Sequence, residues 1–226
     1  MIKLFVVLVC AHVLGDFLLQ TDWLARNKHR FGVLLLHCSI HGLLAWLVMA
    51  QWSLWCLPLS VIAGHGILDL IKKKLPDTAT TFTIDQTLHV AFLGGIAIFL
   101  HRTGIGLAIH EIYRPLVWAA GFVAVVQGSG YPVAKVTKRL IDENNLSIDG
   151  LRSGGKLIGQ LERTLIFLLM VIGQPAGIGF LVAAKSILRF EEAKKQQLAE
   201  YVLIGTLLSF SLAIALSYLT IKAINL

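Results

Sequence analysis

The stretch MIKLFVVLVCAHVLGDFLLQTDWL, residues 1–24, decides how this chain is read. As far as Leu19 its only fully charged side chains are Lys3 and Asp16. At 1.5 Å per residue, such a run is long enough to cross the ~30 Å apolar core of a bilayer. It has no period-2 alternation, so the backbone pairing that lipid demands is met by a helix rather than a barrel strand. It also has almost no polar leading segment and no small-residue cleavage site, and reads as a retained span rather than a removable signal.

Runs of the same kind fill the rest of the chain. The spacing predicts eight helices, over 2–24, 33–52, 54–73, 83–101, 114–131, 156–173, 176–190 and 201–221, the seventh short enough to be a half-helix. Of the 226 residues, 56% are hydrophobic and 15% charged, against about 25% charged in soluble domains. This excludes a disordered chain, a disulfide-rich secreted domain and most soluble enzymes. Cys10, Cys38 and Cys56 lie in apolar surroundings without CxxC spacing and read as buried thiols.

Lysine and arginine stay on the cytoplasmic side of a membrane. The first loop has Arg26, Lys28 and Arg30, the third Lys72, Lys73 and Lys74, the fifth Lys135, Lys138, Arg139, Arg152 and Lys156, and the seventh Arg189, Lys194 and Lys195. The even loops are short or nearly neutral, so odd loops face the cytoplasm. The expected fold is therefore an all-α polytopic transmembrane bundle with both termini outside. Residues 1–105 form a four-helix half, and residues 106–226 form a second half with a cytoplasmic loop at about 132–155. The net charge of +7 follows this alternation, so the expected partner is membrane lipid and no nucleic acid is expected.

Each of the first four spans carries a polar pair at i and i+4: His12 with Asp16, His37 with His41, His65 with Asp69, and Asp85 with His89. That spacing puts two side chains on one helix face. Random scattering of these residue types gives only about one such histidine-containing pair, with no reason to fall once per helix. With the orientation above, all eight groups lie roughly 5–18 Å inside the cytoplasmic boundary. Ionisable groups at such depth are costly and point to function. Imidazoles and carboxylates without thiolates suit a divalent transition metal, Zn²⁺ first, with Fe²⁺ or Mn²⁺ as alternatives, as one or two ions. The candidate ligands are His12, Asp16, His37, His41, His65, Asp69, Asp85 and His89. Some of the aspartates can instead hold a histidine N–H, and a plain His–Asp hydrogen-bond network or a proton relay uses the same residues. Gln20 extends the stripe of His12 and Asp16. His29, His101 and His110 fall in loops or at helix ends and read as solvated.

The sixth span opens with Gly154-Gly155-Lys156-Leu157-Ile158-Gly159-Gln160-Leu161-Glu162-Arg163. Glu162 is a candidate catalytic carboxylate. Arg163, with Lys185 and Arg189 near the end of the seventh span and Gln20 on the first, is a candidate for binding an anionic substrate group. Lysines and arginines near helix ends also serve as anchors to headgroups.

The segments His12 to Gln20, His65 to Asp69, Asp85 to His89 and Ile158 to Arg163 resemble a bacterial integral membrane family known only as a domain of unknown function. The likeness runs over nearly the whole chain and implies a bacterial inner-membrane protein without assigning an activity. More remotely, the His/Asp pairs of the first four helices are similar to those of inner-membrane proteins described as metal-dependent hydrolases.

Three functions stay open at this point. In a membrane-embedded hydrolase, Asp16 or Asp69 serves as general base near the metal, and the depth of the site suits an anionic amphiphile such as a phospholipid or isoprenoid phosphate. A carrier for divalent metal or protons needs the same residues and an outward path. A scaffold needs only the metal. The topology itself is open to test. In a background without the native cysteines, a cysteine at Lys73 or Asn144 is expected to react only from the cytoplasmic side and one at Gly104 only from outside. Labelling of both classes from one side contradicts the orientation.

Overall fold

A computed structural model describes residues 1–105, 111–146, 153–188 and 196–226. All regular structure among them is helical: α1 (Ile2–Leu14), α2 (Asp22–Asn27), α3 (Phe31–Met49), α4 (Cys56–Lys72), α5 (Ala79–Arg102), α6 (Tyr113–Val123), α7 (Gly130–Asn144), α8 (Gly154–Val171), α9 (Gly177–Leu188) and α10 (Gln196–Ile224). A π-helical turn, Gly15–Leu19, continues α1, and a second, Ala124–Gly128, joins α6 to α7. Among the described residues, five stretches are long and apolar enough to cross a membrane: Ile2–Leu19, Phe31–Met49, Ala79–Arg102, Tyr113–Asn144 and Gln196–Ile224.

Two boundaries differ from the sequence reading. The first span does not run unbroken to residue 24. The backbone turns extended at Gln20, and Thr21 caps a new helix, its side chain accepting from Leu24 N at 3.3 Å. Threonine at this position satisfies an amide that the first helical turn leaves bare. The fifth span, in contrast, continues past residue 131 into the predicted loop, as a helical stretch of 32 residues, Tyr113–Asn144, that takes in α6, the π-turn and α7. Pro132 sits just inside α7, in its first turn, where a proline is tolerated. Cys10 and Cys38 are buried as expected, but Cys56 is exposed in the first turn of α4.

The chain divides into two compact units, Met1–Val123 with Lys222–Leu226, and Ala124–Ile221. In the first unit α1 packs against α3, α5 and α6, α3 packs against α4, and α4 packs against α5. The contact stripes follow one rule. Leu4, Leu8, His12 and Asp16 are buried on α1 and its π-turn, Leu57, Val61, His65 and Asp69 on α4, and Asp85, His89, Leu93 and Ala97 on α5. On α3 the series is His37, His41, Ala45 and Met49. Each is an i+4 ridge of the kind that packs helix into helix, with two apolar rungs and two polar rungs. Because α1 and α4 run against α3 and α5, the polar rungs all gather at one end and the apolar rungs form the core at the other. Tyr113 closes the apolar end, its hydroxyl donating to Ala223 O at 2.7 Å.

The outward faces carry large apolar side chains such as Leu35, Leu43, Leu47, Ile67 and Phe99. A continuous exterior of this kind suits lipid rather than water. Removing the cap of α2 isolates the short helix that precedes Lys28. Thr21→Ala is expected to speed hydrogen exchange at the α2 amides about fivefold, the equivalent of ~1 kcal/mol, and Thr21→Ser to leave it unchanged. Equal exchange in all three proteins refutes the cap.

Candidate metal centre

The polar rungs of four helices meet in one cluster. Five imidazole rings, His12, His37, His41, His65 and His89, stand with neighbouring centroids between 3.8 and 5.5 Å apart. Asp16 is at the middle. Its Oδ1 faces His41 Nε2 at 3.2 Å, His37 Nε2 at 3.3 Å and His65 Nε2 at 3.9 Å, and its Oδ2 faces His12 Nε2 at 3.6 Å. The π-turn bears on this placement, because its extra residue shifts the side-chain register along α1. Gly15 has a separate reason: a Cβ there would overlap the His41 ring.

Two further aspartates flank this core. Asp69 Oδ2 lies 3.6 Å from His37 Nε2 and 3.8 Å from His65 Nε2. Asp85 Oδ1 lies 3.5 Å from His89 Nδ1, which also approaches Asp85 O at 2.9 Å. All eight residues predicted as ligands are therefore in one place. Two groups have ligand atoms mutually within 4.8 Å: Asp16, His37, His41 and His65, and then His65, Asp69 and His89.

Three neighbours were not predicted. Lys28 Nζ donates to Asp69 Oδ2 at 3.1 Å and lies 2.8 Å from His37 Nε2. Lys72 Nζ donates to Asp85 Oδ2 at 2.6 Å. Gln86 Nε2 donates to Asp16 Oδ2 at 3.0 Å and to Asp85 Oδ2 at 3.3 Å, with its Oε1 at 3.3 Å from His12 Nε2. Lys72 continues the stripe of His65 and Asp69 by three residues, a signal present in the sequence. Lys28 reaches the cluster only through the fold of α2, which no periodicity announces.

The donor set fits a divalent ion. A metal with ligands at about 2.0–2.1 Å in tetrahedral array holds them roughly 3.3 Å apart, close to the separations around Asp16 Oδ1. Among the described residues, four buried atoms of the cluster make no hydrogen bond of good geometry: Asp16 Oδ1, His37 Nδ1, His41 Nε2 and His89 Nε2. Asp16 Oδ1 and His41 Nε2 meet as an ion-pair contact at 3.2 Å, a spacing that a shared cation could also occupy. Beside the ring cluster, toward the apolar end, lies a cavity of about 10 Å³ lined by His12, His41, His65 and His89 with Leu8 and Val61. That is room for about one water.

The other predicted site residues stand apart. Gln20 has left the helix of His12 and Asp16, and its buried Oε1 has no hydrogen-bond partner. In the second unit, Arg163 donates through Nε and Nη2 to Val126 O at 3.1 and 2.8 Å and through Nη1 to Ser209 Oγ at 3.3 Å. Val126 belongs to the second π-turn, where a wider coil leaves a carbonyl for such a donor. The guanidinium fits because Gly130 and Gly159 flank it, a Cβ at either lying 2.9 Å from one of its nitrogens. Glu162 pairs with Lys185 at 2.8 Å. Arg189 and His110 lie outside the described residues, while His29 and His101 are exposed as expected.

Fold and site together define a helical protein with membrane-length apolar helices around a buried His/Asp cluster. The chain belongs to the DUF3307 family of proteins of unknown function, whose family model matches residues 4–118, just over half of the chain. The matched part contains every member of the cluster. No curated protein and no solved structure matches the chain.

Gly15→Ala is expected to cost about 1–3 kcal/mol through overpacking against His41, read as thermal unfolding in detergent. Gly66→Ala serves as control, since its Cβ meets only Cys38 Sγ at 3.5 Å. Equal stability of the two variants removes the steric account of Gly15.

Proposed function

We propose that this protein is a membrane-embedded, metal-dependent hydrolase acting near the cytoplasmic face on an anionic amphiphile such as a phospholipid or isoprenoid phosphate. One observation carries the reading: Asp16 Oδ1 stands among the ring nitrogens of His41, His37 and His65 at 3.2, 3.3 and 3.9 Å, inside an apolar bundle. The proposed setting is a bacterial inner membrane. The chain crosses it eight times with both termini outside, α4, α8 and α9 adding to the five long stretches. Loop charge supports the orientation.

In this reading His37, His41, His65 and Asp16 hold the first ion, Zn²⁺ for preference. His65, Asp69 and His89 offer a second position. A bound divalent ion acidifies a water and polarises a phosphoryl or carbonyl oxygen. With only the first position filled, Asp69 is not a ligand and is the carboxylate proposed to take the proton. Gln86 orients Asp16 and Asp85 by donating to both. The water-sized cavity beside the rings favours chemistry over a purely structural ion, because catalytic sites keep one position open. The apolar rungs that close the other end of the bundle count against a carrier, which needs a polar path outward. Arg163 and Lys185 already hold partners in the chain, so the substrate anion calls for other cations.

The test is elemental analysis of protein purified in detergent, alongside thermal stability. Wild type is expected to hold one or two transition-metal ions. His37→Ala and His65→Ala are each expected to lower that content while the protein stays folded, as is Asp85→Ala, which removes the carboxylate beside the His89 ring of the second position. Unfolding in step with metal loss points instead to a structural ion, whose binding energy is folding energy. Unchanged metal in all three variants refutes the ligand set.

A further inference from the structure

The cluster contains two ammonium groups that the hydrolase reading leaves without a task. Lys28 Nζ is held on Asp69, and Lys72 Nζ on Asp85. The lysines are 23% and 34% exposed, their partner carboxylates 7% and 5%. Both ammonium groups therefore stand on the open side of the carboxylates. A third lysine ties this edge together, Lys73 Nζ donating to His29 O at 3.3 Å.

Charge accounting shows what the open side calls for. Imidazoles that ligate a metal are neutral, so Asp16, Asp69 and Asp85 with Lys28 and Lys72 leave the cluster one unit negative. One divalent ion reverses that to one unit positive, and two ions make it three. Uncompensated charge inside an apolar bundle is expensive. An ion in the second position also competes with Lys28 for Asp69, which leaves that ammonium group free to bond elsewhere. Metal occupancy thus creates an excess of positive charge and frees a donor at this edge.

We propose that Lys28 and Lys72 form an anion-binding mouth of the metal centre, taking the phosphate group of the substrate only once the metal is bound. This rests on the metal reading above and adds the residues that recognise the anion. Lysine serves well as a point charge for phosphate. Apolar surface is at hand. The Phe82 ring lies 5.6 Å from Lys72 Nζ, and Leu18, Leu19 and Trp23 are exposed on the chain leading to Lys28. A phosphomonoester on an apolar tail matches both features, while a water-soluble phosphate matches only the first. Metal and anion then bind with positive coupling, and the coupling is reciprocal.

The test uses the full chain in detergent, either loaded with Zn²⁺ and desalted or stripped with chelator. Binding of orthophosphate and of a short-chain phosphatidic acid is measured by calorimetry. Loaded wild type is expected to bind orthophosphate at least about tenfold more tightly than stripped protein, and Lys28→Met and Lys72→Met each to lose about tenfold with zinc content unchanged. Lys28→Arg, which keeps the charge, is expected to restore binding and to show that the methionine variant has not merely misfolded. A further gain of about tenfold for phosphatidic acid assigns a lipid headgroup, and equal affinity assigns a water-soluble phosphate. Either supports the mouth. Zinc-loaded methionine variants that bind phosphate like wild type overturn it, as does equal phosphate affinity with and without zinc. In those cases the zinc content shows the metal reading intact, whereas wild type without zinc refutes that reading and the mouth together.

Discussion

A carboxylate buried where four apolar helices meet has to be answered from within the protein. Asp16 is that carboxylate, and much of the first unit can be understood as the answer. Charge in such surroundings costs several kcal/mol unless paired and hydrogen-bonded. Histidines from α3 and α4 face one oxygen of Asp16, while His12 and Gln86 attend the other. The glycine before it gives the His41 ring its place. Asp69 and Asp85 repeat the arrangement at the rim, each with a lysine.

The second unit meets the same constraint by other means. Arg163 is buried without a carboxylate on its guanidinium. Its charge is spread over the Val126 carbonyl and the Ser209 hydroxyl, and the π-turn supplies the carbonyl. The neighbouring Glu162 is neutralised by Lys185 from α9. A cation held by backbone and a compact ion pair are each satisfied locally. In the first unit several ring and carboxylate atoms are not, and it is this set whose spacing could hold a metal ion.

The cluster was legible in the sequence because it is written in helical periodicity. Pairs at i and i+4, once in each of the first four predicted spans, were enough to name all eight members. The apolar continuation of each ridge, such as Leu57 and Val61 before His65, followed the same rule and was equally readable. What periodicity could not reveal was any break in it. The π-turn at Gly15–Leu19 and the capped start of α2 bring Lys28 back onto Asp69; the π-turn leaves no mark on the apolar pattern, whereas the Thr21 cap is a local signal that an unbroken span to residue 24 passes over. Arg163 was singled out for its depth, but its partners lie 37 and 46 residues away along the chain. Proximity across such distances has no local signal. The helical stretch Tyr113–Asn144 was cut short for a related reason. Its second part is polar enough to read as loop, and helices persist through such sequence when one face finds a neighbour.

A hydrogen-bond network without metal would use the same residues, and donor supply decides between the two. A neutral imidazole brings one N–H and one lone pair, so a closed network pairs each nitrogen. Here His37 Nε2 faces both Lys28 Nζ at 2.8 Å and His65 Nε2 at 2.9 Å, two partners for one lone pair. Meanwhile His37 Nδ1 and His89 Nε2 make no hydrogen bond, and Asp16 Oδ1 and His41 Nε2 meet only as an ion-pair contact at 3.2 Å. A buried polar group left unsatisfied costs about 1–3 kcal/mol. One water in the small cavity relieves at most the atoms that line it, among them those of His41 and His89. Asp16 Oδ1 requires a positive partner, and its neighbours at 3.2 to 3.9 Å are the nitrogens that would share a metal with it. Incomplete as a network and spaced like a coordination shell, the set could hold a metal ion, which is what the proposed function asks of it.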